Sequence, residues 1–147
     1  MDNAVVLNKL ESLRRCLHRI QEKTPATFAQ LADNHDLQDI IVLNLERAVQ
    51  LCVDIGLHIV STMEAPAPDT MANTFVTLHK YGYLDDATAQ RMIKAVGFRN
   101  TAVHAYQAID WLIVYHIITG HLGACRTFHA SAAKPPGRCI FPLLFDQ

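Results

Sequence analysis

The sequence predicts an all-α protein, an antiparallel bundle of about five helices, and three observations predict it. Apolar residues recur at spacings of three and four along most of the chain, and no segment shows the strict apolar–polar alternation of a half-buried strand. The prolines at 25, 66, 68, 135, 136 and 142 read as punctuation. The connections between periodic runs are short, which makes successive helices antiparallel neighbours. At 147 residues, half of them hydrophobic, the chain has the material for one domain with a genuine core.

Each element follows from its own pattern. Residues 4 to about 22 carry Val6, Leu10, Leu13, Leu17 and Ile20 on one stripe, with Lys9, Arg14, Arg15 and Arg19 on other faces, an amphipathic helix that Thr24-Pro25 ends. Thr27, Phe28 and Leu31 form a short connector of one or two helical turns. Asp36 is the expected cap of the next helix, whose apolar residues from Ile40 to Val60 fill a segment reaching about Met63. That density implies burial on more than one side, by other helices or by a second subunit. EAPAPD, residues 64–69, breaks the chain, and Asp69 or Thr70 starts a helix to about Lys80 containing Met71, Phe75 and Leu78. YGYLDD turns the chain, Asp85 or Asp86 caps a helix that continues to Gly97, a natural C-cap residue, and a last long helix is expected from near Arg99 through about Thr119.

Composition excludes several function classes. The net charge of −1 lacks the basic excess that marks a nucleic-acid binder, no helix presents a clustered basic recognition face, and any RNA contact must be local. The N-terminus does not resemble a signal peptide and no segment approaches the roughly 20 apolar residues of a membrane span, so a cytoplasmic protein with no membrane role is expected. Cys16 and Cys52, among apolar helical neighbours, read as buried thiols, and disulfides are not expected. His121, Cys125 and His129 repeat at i, i+4, i+8, with Cys139 beyond a Pro-Pro turn; a surface stripe is the commoner reading, and no metal or other cofactor is assigned. The domain is expected to span 1–130, followed by an irregular tail over 131–147, either a strap over an apolar groove or an end without fixed structure.

Chemistry concentrates in GFRNTAVHAY, residues 97–106. On one regular helix Arg99, Val103, Tyr106 and Asp110 share a stripe and Asn100, His104, Ala108 and Trp111 share the next. Arg99 and His104 are then about 140° apart. They converge only if Arg99 sits in a loose first turn, or if a two-fold axis brings two copies face to face. A near-neutral histidine suits proton transfer to or from a ribose 2′-OH, and a guanidinium suits a bidentate hold on phosphate oxygens. Asn100 can orient the imidazole or bind substrate, and free N–H groups at a helix N-terminus would add phosphate affinity. Bland readings stand beside these: a solvated arginine, a structural histidine, and a Tyr106–Asp110 surface pair.

The segment resembles the Arg-x-x-x-x-His-x-Tyr signature of HEPN-domain ribonuclease toxins of the HepT family, with Arg99, His104 and Tyr106 in the motif positions. LNKLESLRRCLHRI, QDIIVLNLERAVQLCVDIGLHIV, FVTLHKYGYLDDATAQRMIKAVGFRN and AIDWLIVYHII resemble the family in the same order, over residues 1 to about 122. The resemblance implies a HEPN-like helical bundle that forms a homodimer, alone or within a larger hetero-oligomer. It implies a metal-independent endoribonuclease, the toxin of a type VII-like toxin–antitoxin system, acting on tRNA or mRNA. By the same resemblance Arg99 and His104 are catalytic, Asn100 binds or orients substrate, and Tyr106 is adenylylated by an MNT-type nucleotidyltransferase antitoxin using ATP. Lys94, Arg91 and Arg99 are then candidates to line a local basic cleft. The alternative is a non-catalytic HEPN-like dimer that docks a nucleotidyltransferase and binds nucleotide or RNA. The tail, from GACRTFHASAAKPPGRCIF onward, departs from the family's continuing last helix.

Overall fold

A computed structural model describes residues 3–121, and among these every regular element is helical. Helix α1, Asn3–Lys23, buries the expected stripe, with Leu13 and Ile20 fully enclosed, and packs along α3, His35–Ser61. Lys9 of α1 meets Asp54 of α3 at 3.5 Å. On the solvent side Arg14 donates to Glu11 at 2.7 and 3.0 Å and Arg15 donates at 3.3 Å. Chiefly through the Arg14 hydrogen bonds, the Glu11 carboxyl is held down to about 2. Such exposed pairs contribute little to stability, so α1 is held by its apolar stripe.

The connector becomes α2, Phe28–Ala32, closed at its start by a reciprocal capping box between Thr27 and Gln30. Its last carbonyls, of Leu31 and Ala32, accept hydrogen bonds from the buried Gln38 amide at 3.0 and 3.1 Å. Asn34, not Asp36, caps α3: its side chain accepts from the Leu37 N–H at 3.0 Å, and Asp36 lies inside the first turn, where a carboxylate suits the helix dipole. At 27 residues α3 is about 40 Å long. Helices α1 and α2, with α4 (Met71–Lys80) and α5 (Asp86–His104), pack against it, which accounts for its dense apolar pattern.

Thr70 caps α4 and Asp85 caps α5, each side chain accepting from the backbone three residues on. Between them Gly82 takes φ +82°, and Tyr83 N–H closes back on the Leu78 carbonyl at 2.8 Å. Phe75 and Leu78 of α4 and Met92 of α5 are fully buried.

The expected end of a helix at Gly97 is corrected. Helix α5 runs through Gly97 to His104, because Met92 and Val96 before the glycine and Ala102 after it are all buried and hold the helix together across it. The expected last helix from Arg99 to Thr119 is likewise two pieces. The chain leaves helical geometry at Ala105, makes a short 3₁₀ turn over Tyr106–Ala108, and restarts as α6, Trp111–His116, which widens into a π turn over Ile117–His121. Two local choices impose the break: extended Ile109 buries its side chain, and Asp110 accepts from the Leu112 N–H at 3.0 Å as an N-cap. The described residues thus form six α-helices, with the expected connector as α2, in keeping with a bundle of about five. Helix α6 is fixed by fully buried Val114 and by Tyr115, which donates to the Ala26 carbonyl at 3.1 Å and packs edge-on against Phe28.

Cys16 and Cys52 are buried and outside any disulfide, and burial pushes the Cys16 thiol up. No helix among the described residues is long and apolar enough to cross a membrane. The side chain of His121, together with Cys125, His129, Cys139, the boundary at 130 and the tail over 131–147, lies outside the described residues.

A β-carbon added at Gly97 meets nothing within 4 Å, and its φ is not positive. Gly97→Ala is therefore expected to raise stability by about 0.5–1 kcal/mol in urea unfolding. A loss instead would mean that the chain needs a glycine there, as a helix end would.

Candidate functional site

The motif residues lie at the C-terminal end of α5 and in the turn after it. Helix α5 is regular through both Arg99 and His104, so the two side chains are about 140° apart around the axis and about 7.5 Å apart along it. A loose first turn around Arg99 is excluded, since the residue sits deep in α5. The helix end at His104 presents carbonyls, with the Ala105 N–H closing on the Thr101 carbonyl at 2.8 Å, so the expected N–H cradle for phosphate is absent at this end. Buried Ala102 faces the core and leaves Val103 and His104 exposed beside it.

Arg99 is half-buried, and its Nη1 donates to Asn100 Oδ1 at 3.2 Å. Asn100 thus orients the guanidinium, not the imidazole of His104. Among the described residues Arg99 forms no ion pair, which leaves its charge available to an anion. Arg91 and Lys94 are exposed on the same helix. No group of three or more His, Cys, Asp or Glu side chains among the described residues is arranged to hold a metal ion.

Tyr106 does not pair with Asp110, which is engaged as the cap of α6. Its hydroxyl donates to Oδ1 of Asp39 on α3, 67 residues earlier in the chain, and its ring meets Trp111 edge-on with centroids 5.9 Å apart. Burial, the hydrogen bond to Asp39, and the negative charges of Asp39 and Glu46 together push the phenol well above the usual tyrosine range. Asp39, Leu43 and Glu46 follow one stripe of α3, two turns long, over which Tyr106 lies. Sequence reasoning missed Asp39, because nothing local links a carboxylate in α3 to Tyr106, 67 residues later.

Apolar side chains are exposed on the same elements. Leu43, Val103, Leu112 and Ile113 are all exposed, the last by 55%. Together with Tyr106 they come from α3, the end of α5, the turn and α6, the elements that carry the motif and its contacts.

A family model described as ribonuclease HepT-like matches residues 13–131. The chain belongs to the HepT-like ribonuclease family. This HepT-like chain is 32% identical over 120 residues to the mRNA nuclease HepT of Shewanella oneidensis, a match covering 82% of the chain and 90% of the relative. It is 26% identical over 110 residues to the tRNA nuclease HepT of Aphanizomenon flos-aquae, covering 75% of each. Its structure superposes with a TM-score of 0.82 on the tri-AMPylated Shewanella oneidensis HEPN toxin in complex with MNT antitoxin, at 30% identity and covering 89% of this chain and 97% of that one. The HEPN helical bundle expected from the sequence is thus the fold of this HepT-like chain.

The raised Tyr106 phenol fixes the sign of a pH effect. The folded state holds the proton more tightly than the unfolded chain, whose tyrosine ionises near about pH 10. Its contribution to stability is fully present below that pH and is lost as pH rises above it. Tyr106→Phe is expected to unfold less steeply with alkali, seen as a smaller drop in urea midpoint between about pH 8 and about pH 11 than in the wild type. An unchanged drop would show that Tyr106 titrates as a free phenol.

Proposed function

We propose that this protein is a metal-independent endoribonuclease, the toxin of a type VII-like toxin–antitoxin system, and that an MNT-type nucleotidyltransferase neutralises it by adenylylating Tyr106. The observation that carries the reading is the complete Arg99, Asn100, His104, Tyr106 set at an exposed helix end in a HepT-like fold. The names of the relatives supply the reaction class, mRNA nuclease and tRNA nuclease, and a tri-AMPylated HEPN toxin bound to MNT antitoxin supplies the partner class.

In this scheme one imidazole takes the proton of a ribose 2′-OH as the 2′-oxygen attacks phosphorus, and the departing 5′-oxygen is protonated as its bond to phosphorus breaks. Arg99 holds the non-bridging oxygens while charge builds on them. The chemistry calls for an acid, a base and a fixed cation, all of which His104 and Arg99 supply if two copies contribute. The angle of about 140° between these two residues on a regular helix supports a site shared across a two-fold axis. Exposed Leu43, Val103, Leu112 and Ile113 give that homodimer apolar surface to bury. An RNA substrate is compatible with the net charge of −1, because Arg91, Lys94 and Arg99 provide local positive charge. AMP added to Tyr106 places bulk and a phosphate charge two residues from His104, repelling RNA phosphates and occluding the site.

The purified protein is expected to cut total RNA or tRNA in the presence of chelator, leaving cyclic phosphate ends. His104→Ala is expected to lose cleavage by at least about 100-fold with unchanged helical content. Normal cleavage by the folded mutant would remove His104 from the chemistry. Absence of cleavage by the folded, unmodified wild type would favour a HEPN-like module that binds nucleotide or RNA without cutting it. Incubated with the partner and ATP, the wild type is expected to gain AMP on Tyr106 by peptide mass, and Tyr106→Phe to gain none; AMP on another residue would refute that assignment.

A further inference from the structure

Adenylylation at Tyr106 requires the phenol to lose its proton to something. Among the described residues the Tyr106 hydroxyl makes no hydrogen bond to His104, and Asp110 accepts from the Leu112 N–H. The hydroxyl already donates to one group, Asp39 of α3.

Resting on the assignment of Tyr106 as the modified residue, we infer that Asp39 is the general base that this chain itself supplies for its own adenylylation. Oη of Tyr106 attacks the α-phosphorus of ATP bound by the partner enzyme. The Oη–P bond forms, the bond from that phosphorus to the oxygen bridging to the β-phosphate breaks, pyrophosphate leaves with the electron pair, and the phenolic proton passes to Oδ1 of Asp39. The acceptor side of the reaction then carries its own catalytic residue, held in place before the partner arrives.

Three features of the site support this. The hydrogen bond has the direction that the transfer needs, from hydroxyl to carboxylate, so no rearrangement precedes it. The Trp111 ring fixes the phenol from the side, and the Asp39 that receives its hydroxyl is exposed on α3. The charged groups acting on the phenol are Asp39 and Glu46, both anionic and both on α3, and with burial they oppose a free phenolate. Deprotonation ahead of attack is therefore disfavoured, and the proton must leave as the new bond forms. Once AMP is attached, Oη can no longer donate, and a phosphate stands near two carboxylates. Adenylylation thereby severs the tie between the Tyr106 turn and α3 and drives the modified side chain outward.

Asp39→Asn separates proton transfer from simple tethering, because the amide oxygen still accepts the Tyr106 hydrogen bond but takes up no proton. Asp39 is exposed, and the variant is expected to keep the helical content and melting temperature of the wild type. The full chain is mixed with excess MNT-type partner and saturating ATP, and AMP on Tyr106 is followed by mass in single turnovers across a pH series. The variant is expected to be slower by about 100-fold near neutrality. The wild-type to variant ratio is expected to shrink about tenfold per pH unit upward, because hydroxide replaces the missing base while titration of the partner cancels in the ratio. Asp39→Glu, which restores a carboxylate, is expected to recover a large part of the rate. Rates within about threefold at every pH would overturn the proposal and leave Asp39 a tether. A constant deficit that does not change with pH would also overturn it, as a loss of positioning alone. No AMP on Tyr106 of the wild type would instead bring down the assignment of Tyr106 on which the inference rests.

Discussion

Burial of α3 on several sides is the constraint from which the remaining architecture follows. Twelve of its residues are buried, from Gln38 to Val60, and they do not fit on a single helical stripe. One partner helix cannot cover such a surface, so α1 lies along one side, α4 and α5 cover others, and α2 closes the N-terminal end through Gln38. Among the residues of α3 left exposed is Asp39, which receives the hydroxyl of Tyr106 from the turn after α5.

The position of that turn follows from packing. Ala102 on α5 and Ile109 after the turn are both drawn into the core, and the six residues between them cannot all remain in α5 while Asp110 caps the next helix. What is left, His104 to Ala108, is pushed to the surface as a short protrusion. The site is therefore built from the residues the core does not take, pinned at either side by residues that it does. Tyr106, with one contact on α3 and one on α6, joins elements that are distant in sequence.

Much of this was legible in the chain. The stripe of Val6, Leu10, Leu13, Leu17 and Ile20, the caps Thr70 and Asp85, and the turn at Gly82 are local features whose chemistry acts over four or five residues, and the structure repeats them closely. Gly97 misled because a glycine is equally readable as a helix stop and as a tolerated interior residue; burial of Val96 and Ala102 decides, and burial is a tertiary fact. The break at Ala105 has neither proline nor glycine to announce it, only Asp110 before an apolar run. Asn34 was passed over for Asp36 because both are good caps two residues apart. The motif itself was visible, but its environment was not: the Asp39–Tyr106 contact spans 67 residues, and no local rule reaches that far.

That span also orders events during synthesis. Helices α1 to α4, which hold much of the core, lie within residues 3–80, and domains tend to organise from the N-terminal side as the chain emerges. Asp39 leaves the ribosome long before Tyr106 and waits, without its partner, on a helix already being covered by α1. A nascent chain can thus collapse around α3 while still lacking the motif, whose residues are among the last of the described ones to find their places.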